Sequence, residues 1–404
     1  KVTKLHREAG LNNSLEPRVF KASIDKVNKV LGIEVPTADI ERILKNLNFA
    51  PEIKGDELTI HIPAYRDDME NYPDIAEEII RMYGYDKVVP TFLETAKVTS
   101  GGTNRKQKAE LKLKRAMCQT GASESIHYSF FSPDDLDLLG LPEDAPERKA
   151  IRIINPINED LSLMRTTLVP QMIHAIKRNQ KRGRLYGRLF EMGSAFIPKS
   201  LPLNDYPVER PTLCIGVFGE NEDFYSLKGI VEKAGETFGL KFRYTAKELP
   251  FLHPYQTAAI LLDGEEIGFM GKVTYEIQKA EEMRVSAYIA EIDLSKLEKY
   301  YEKTPAFTPI PAFAEEARDL ALVMDKNVTC QEVEDVITSA CRFVSDVKLF
   351  DVYEGAQLGD SKRSMAFTLT FTPAEEEFTS EALDGYVHKI LKNLNNKLGI
   401  ELRS

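Results

Sequence analysis

Apolar residues recur at helical spacing in residues 17 to 32 (PRVFKASIDKVNKVLG) and again in 37 to 49 (TADIERILKNLNF), which predicts two helices. The following DELTIHIPAYR alternates like a strand. A third helix starts near Tyr72 and covers 73 to 85, because Pro73 suits a first turn: its ring presets φ, and its missing N–H falls where no intrahelical partner exists. Small helices plus a β-wing make a first module over residues 1–95. The aperiodic PTFLETAKVTSGGTN, ending in Gly101-Gly102, reads as a linker.

A second region, 96–304, opens on the basic amphipathic helix RKQKAELKLKRAMCQTG, with Gly121 as its cap. It continues through strand-like RKAIRIINP, a helix that has Pro170 early and stops at Gly183, and the strands GRLFEMGSAFIP and TLCIGVFGE. The helix FYSLKGIVEKAGETFGL follows, then a hairpin turning at Asp263-Gly264, then SAYIAEIDLSKL. Helices mixed with β-hairpins in this order predict an antiparallel α+β sheet. Pro305, Pro309 and Pro311 mark another linker, and the last region, 305–404, reads strand, helix, strand, strand, helix, strand, the βαββαβ ferredoxin-like order.

The helix at 73 to 85 carries a concentration of charge. At about 100° per residue, Asp74, Glu77, Glu78 and Arg81 share one arc, with Ile75, Ile79, Met82 and Tyr83 opposite. Asp68 precedes the helix, where a turn could fold it over the same arc. Two readings of the acids stand side by side. One is a solvated face, with first-turn acids complementing the helix dipole and Arg81 pairing with Glu77 or Glu78. The other is a hard-cation site, since Mg²⁺ favours one or two carboxylates plus waters.

Composition narrows the classes. The 404 residues suffice for two to four domains, and 43% hydrophobic with 29% charged residues is ordinary for a soluble protein. No apolar run approaches the length of a membrane span. The opening KVTKLHREAG has neither an initiator Met nor a leader, which suggests a piece of a longer chain. Four scattered cysteines make neither a disulfide framework nor a zinc site, so a reducing cytoplasm is expected. A net charge of −10 argues against a non-specific coat of nucleic acid.

No nucleophile elbow, zinc helix or phosphate loop occurs, and the six histidines show no ligand spacing. Lys177, Arg178, Lys181, Arg182, Arg184 and Arg188, interleaved with Tyr186, could track a phosphate backbone or could simply be a solvated helix end. Phe307, Phe313, Phe350, Tyr353, Phe367 and Phe371 could stack bases, though most must be core. Residues 311–404 hold ten Lys or Arg against seventeen Asp or Glu, a net of −7, so RNA contact there would need a local patch around Lys362 and Arg363.

PAYRDDMENYPDIAEEIIRMYGYDKVVPT, NPINEDLSLMRTTLVPQMIHAIKRNQKRG with RLFEMGSAF, LHPYQTAAILLDGEEIGFMG, and ARDLALVMD with LFDVYEG and SMAFTLTFT together resemble the bacterial phenylalanyl-tRNA synthetase β chain, in family order over essentially the whole sequence. The resemblance implies a start beyond the family's N-terminal tRNA-binding fold and its editing domain, which hydrolyses mischarged tyrosyl-tRNA. It implies three parts: a helix-and-wing module, a class II synthetase-like core, and a ferredoxin-fold anticodon-binding domain. Family members work as α2β2 tetramers that join phenylalanine to tRNA(Phe) using ATP, with the active site on the α chain.

A working class II site needs arginines on its motif 2 strand and in motif 3 to hold ATP phosphates. Here RLFEMG echoes motif 2 through Arg188 and Glu191, while GFMGK and SAYIAEIDL supply no motif 3 arginine, so the core is expected to be silent and to brace its partner. The family's β-chain Mg²⁺ pattern, D-x5-D-x2-E-E, is matched at Asp68, Asp74, Glu77 and Glu78. Four like charges would raise some of their pKa values, and a divalent ion would relieve them. Tyr353 is the expected stacking residue for the anticodon, with Lys362 and Arg363 beside it. A stand-alone RNA-binding scaffold and a metal-dependent hydrolase built on the acids are the competing classes. The latter needs a second metal group or a general base, and 68 to 78 offers only acids with Arg81 nearby.

Overall fold

The stretch expected as one helix over 17–32 divides at Ser23 in the computed structural model, into strand β1 (Arg18–Ser23) and helix α1 (Ile24–Leu31). Alternation wins over helical spacing here: Phe20 and Ala22 pack inward, Val19 and Lys21 point out, and β1 pairs antiparallel with a later strand. The Ser23 side chain accepts the Lys26 N–H and so starts the helix. The structure describes residues 17–91, 101–302, 307, 309–359, 361–374 and 376–403. It divides into two units at Gly101. The boundaries expected at 95/96 and 304/305 fall outside the described residues.

In the first unit, α2 (Thr37–Asn46), β2 (Ala50–Lys54) and β3 (Glu57–Ile62) follow, and the sheet order is β1-β3-β2. Helix α3 (Tyr72–Tyr83) ends at Gly84, whose φ of 119° suits glycine, so it stops two residues short of the expected 85. Its Ile75, Ala76 and Ile79 join Val27, Ile40, Leu44 and Ile60 in one core. The apolar arc is rotated from expectation. Met82 is half exposed, whereas Glu78 lies buried at the edge of the core.

The second unit opens with α4 (Arg105–Gln119), β4 (Ser123–Glu124), β5 (Phe130–Phe131), α5 (Pro133–Leu138), β6 (Leu163–Met164) and α6 (Val169–Lys181). Next come β7 (Gly187–Ile197), β8 (Val208–Phe218), α7 (Phe224–Glu236), β9 (Arg243–Ala246), β10 (Leu252–Leu262), β11 (Glu265–Val273), α8 (Tyr275–Ala280) and β12 (Ala287–Asp293). Seven strands form one sheet, β4-β7-β8-β12-β11-β10-β9, antiparallel except for β4 beside β7.

Strand alternation assigns its faces. Leu213, Ile215 and Val217 pack with α4 and α7, while Cys214 and Phe218 pack with α6. Helix α6 lies so close to β8 that a Cβ at Gly216 would stand 2.7 Å from Met172. RKAIRIINP is not a strand: apart from one bridge, Arg152 to Leu163, it is irregular, and its Ile154 is exposed while only Ala150 packs against the core.

The last region is the expected βαββαβ: β13 (Glu316–Asp325), α9 (Cys330–Ala340), β14 (Val344–Tyr353), β15 (Lys362–Phe371), α10 (Ser380–Leu398) and β16 (Glu401–Leu402), in sheet order β14-β15-β13-β16. Both helices pack against a core that includes Phe367 and Phe371. A two-point ion pair, Arg243 to Asp335 at 2.7 and 2.8 Å, ties β9 to α9. The architecture is multidomain α+β, and among the described residues no helix is long and apolar enough to cross a membrane.

Candidate functional site

The acidic arc of the first unit is organised around an arginine. Arg66 donates from Nε to Asp68 Oδ1 at 2.9 Å and from Nη2 to Asp68 Oδ2 at 2.6 Å, a bidentate pair. The same guanidinium lies 3.1 Å from Glu78 Oε1 and 5.3 Å from the centre of the Phe49 ring. Glu78 Oε2 also accepts from Arg81 Nη2 at 2.6 Å. Asp74 has a different task. Its Oδ2 accepts the N–H groups of Glu70 and Asn71, at 2.7 and 2.8 Å, as the N3 residue of a capping box. Glu77 is exposed.

This arrangement corrects the expectation that crowded carboxylates raise one another's pKa. Burial pushes Glu78 up, but the hydrogen bonds from Arg81 and Arg66 outweigh it and hold the carboxyl below its ordinary value. Asp68 is likewise lowered, chiefly by its hydrogen bond from Arg66. Two guanidinium groups already supply the positive charge, and among the described residues no three of His, Cys, Asp and Glu are grouped to hold a metal ion. Arg66 stands two residues before Asp68, inside the very stretch that drew attention to the acids.

In the core, the two residues that echo motif 2 are both engaged internally. Arg188, on β7, donates from Nε and Nη2 to Glu222 at 2.9 and 2.8 Å and from Nη1 to the Thr120 carbonyl at 2.9 Å. Glu191, three residues on, meets Arg165 Nη1 at 2.8 Å and the ring of His127. Arg165 also donates to the Ser194 carbonyl, and a Cβ at Gly193 would stand 2.2 Å from its Nη2, so glycine there makes room for the pair. Burial raises the Glu191 pKa, but His127 and Arg165 more than reverse it, leaving a buried carboxylate. Neither residue has a cationic or anionic group free for a nucleotide.

Beside this triad lies a groove of about 710 Å³, lined by Phe130, Phe131, Gln171 and His174, with Ile126 87% and Tyr128 66% exposed at its mouth. His174 bridges α6 to neighbouring segments: Nε2 meets Asp135 at 2.6 Å and Nδ1 stands 3.4 Å from Glu281. The basic end of α6 is only partly free. Lys177 pairs with Glu281 at 2.7 Å and Lys181 with Glu282 at 2.8 Å, while Arg182, Arg184 and Tyr186 remain exposed.

In the last region, Tyr353 ends β14 directly across from Ser364, which brings it near Lys362 and Arg363 at the start of β15. Lys362 is exposed. Arg363 instead donates to the Val328 carbonyl at 2.6 Å and serves the fold. The Tyr353 ring carries the Arg403 guanidinium over its face, 4.6 Å from the centroid, a cation–π contact. The sequence signal for Arg403 was a single basic residue, the fourth of the segment IELRS, with nothing to connect it to residue 353. Of the aromatic set, Phe367 and Phe371 are wholly buried, and Phe307 and Phe350 are exposed.

Residues 89–294 match the phenylalanyl tRNA synthetase beta chain CLM domain, residues 311–403 the ferredoxin-fold anticodon binding domain, and residues 20–85 the tRNA synthetase B5 domain. Over 97% of the chain it is 36% identical to the phenylalanine-tRNA ligase beta subunit of Clostridium tetani, covering 49% of that protein. The beta subunit of Clostridium acetobutylicum is 33% identical over 96% of the chain and 49% of its own length, and that of Carboxydothermus hydrogenoformans 32% over 96% and 50%. The chain thus spans about half the length of these relatives. Three domain matches in one order, the first over about half of the chain, carry the conclusion that the chain belongs to the phenylalanyl-tRNA synthetase β chain family.

Proposed function

We propose that this chain serves in the β subunit of a cytoplasmic phenylalanine-tRNA ligase, supporting the ATP-dependent joining of phenylalanine to tRNA(Phe) through assembly and tRNA docking, with the chemistry on an α subunit in an α2β2 tetramer. The engagement of Arg188 by Glu222 and of Glu191 by Arg165 carries this reading, since phosphate binding needs cationic groups that the core has turned inward. The groove with Ile126 and Tyr128 at its mouth offers an apolar surface suited to a partner chain. The β14–β15 end, with Tyr353 and Lys362, offers a stacking face and a charge for the anticodon, while Arg363 acts by holding the strand start in place.

The Mg²⁺ assignment stands on the match of Asp68, Asp74, Glu77 and Glu78 to the family's D-x5-D-x2-E-E pattern. As folded, these residues do not fit one ion: Arg66 fills the space between Asp68 and Glu78, and Asp74 is spent on a cap. No step of the function is therefore routed through the ion. Calorimetry of Mg²⁺ binding to the α2β2 complex, with Asp68→Asn combined with Glu78→Gln, tests it. Unchanged binding removes the assignment.

The subunit role is tested by mixing this chain with the α chain and measuring mass and aminoacylation. The expected result is a stable complex that charges tRNA, with neither chain charging it alone. Formation of an adenylate from ATP and phenylalanine by this chain by itself would refute the proposal.

A further inference from the structure

The two edges of the last region's sheet meet across its open face. In the order β14-β15-β13-β16, Tyr353 ends the strand at one edge and Arg403 follows the strand at the other. Three strand spacings separate them, about 14 Å. Yet the Arg403 guanidinium stands 4.6 Å from the centre of the Tyr353 ring. The strand pairing explains how. Tyr353 lies across from Ser364, Ser364 from Val323, and Val323 from Glu401. One step along, the Arg403 N–H donates to the carbonyl of Ala321, which lies across from Ala366. Alternation turns Leu322 and Met365 into the core and leaves Ser364, Ala366, Ala321 and Val323 on the other face, so only short side chains lie between the edges and two long ones can span them.

The ring is the sole anchor of that guanidinium. Arg403 is exposed, and among the described residues its side chain makes no hydrogen bond and no ion pair. The ring is held more firmly, because its hydroxyl end lies so close to Gly355 that a Cβ there would collide with it. Ser364, although it points to the open face, is only 2% exposed. Arg403 thus occupies a face of the ring that a stacked base would need. Around it the open face carries three carboxylates: Asp351 across from Ala366, Glu401 across from Val323, and Asp325 across from Lys362, the other cation there. Glu354, just past the ring, pairs with Lys326. The acids repel a phosphate chain from the middle of the face, so a nucleic acid strand enters by its bases and keeps its backbone at the rim.

We propose that Arg403 is an exchangeable cover on Tyr353: an unpaired base of a single-stranded RNA loop takes its place on the ring, and the displaced guanidinium pairs with a phosphate of the same strand. The exchange rests on the tRNA-docking role proposed above. An exposed cation–π contact is the weakest of the three interactions concerned, base stacking and charge-assisted bonding to phosphate both being stronger, so the exchange runs toward bound RNA.

Nuclear magnetic resonance of the full chain with isotope-labelled arginines tests it, with Arg403→Gln identifying the signals. In the free chain the ring current is expected to shift the Arg403 side-chain protons upfield, and Tyr353→Leu to remove that shift. An RNA hairpin with an unpaired loop is expected to abolish it in the wild type, whereas inorganic polyphosphate, which has charge but no bases, is expected to leave it in place. In fluorescence anisotropy with the same hairpin, Arg403→Gln is expected to lower the slope of log affinity against log salt by about 0.7, the share of one phosphate contact on a single strand. Tyr353→Ala is expected to weaken binding roughly tenfold. Melting temperatures serve as the folding control. A ring-current shift that survives saturation with the hairpin overturns the exchange, as does one that polyphosphate removes or a salt slope that Arg403→Gln leaves unchanged; each of these results leaves the docking role standing. Failure of the wild type to bind the hairpin overturns the exchange and the docking role together.

Discussion

Arg165 donates from Nη1 to Glu191 Oε1 at 2.8 Å, and both side chains are almost sealed from solvent, 3% and 4% exposed. Glu191 lies on the strand that echoes motif 2, so a position with a chemical precedent has become one end of a strut between β7 and the segment before α6. Removing one partner strands a buried charge, and Arg165→Met is expected to cost about 3–5 kcal/mol in urea unfolding. Adding Glu191→Leu should recover much of the loss, because the uncompensated carboxylate goes with it. A double variant as unstable as the single one would contradict this account.

The pH dependence of the first unit follows from Glu78. Its folded pKa is held below the ordinary 4.5, so its pairing contributes stability that is present above that value and lost as pH falls through the lower folded value. Arg66→Met is expected to lower stability at neutral pH by about 1–3 kcal/mol and to flatten the acid limb below about pH 4.5. Acid denaturation followed by circular dichroism, wild type against variant, measures both, and parallel acid limbs would count against the Arg66 bridge.

Two glycines make opposite predictions. Gly229, inside α7, has open space where a Cβ would stand, so Gly229→Ala is expected to stabilise the chain by about 0.5–1 kcal/mol through the unfolded state. At Gly268, on β11, a Cβ would meet the Glu291 carbonyl oxygen at 2.1 Å, backbone against backbone, and Gly268→Ala is expected to lower the melting temperature sharply. Equal effects at the two sites would show that close strand approach is not what glycine serves at 268.

Tyr353 tests the tRNA surface. In the assembled ligase, Tyr353→Ala is expected to raise the tRNA KM by an amount equivalent to about 1–3 kcal/mol, the worth of one stacked base, while leaving phenylalanine activation unchanged. Because Arg403 covers one face of the ring, Arg403→Ala should shift the tRNA KM as well, and its salt dependence more strongly. An unaltered KM in Tyr353→Ala would remove the ring from the interface.

Local pattern determined most of the architecture. Pro73, Pro170 and the Asp263-Gly264 turn act within a few residues of themselves, so α3, α6 and the β10–β11 hairpin could be read directly, as could the βαββαβ order of the last region. The acids at 74, 77 and 78 were legible for the same reason, since helical period is a property of neighbours. Helical and strand spacing were confused at 18–23, where pairing with β3, some forty residues away, decides the matter.

What the tertiary structure alone decided is which charges meet. Arg66 reaches Glu78 across 12 residues, Arg165 reaches Glu191 across 26, and Arg210 faces a carboxylate on a strand adjacent in the sheet but distant in the chain. A lone charged residue in a sequence has no visible partner, because Coulomb and hydrogen-bond energies depend on distances that chain separation does not encode. The family and its domain order were therefore written in the residues, whereas the conversion of an apparent cation site into an arginine bridge, and of a motif 2 echo into a buried strut, came from the fold.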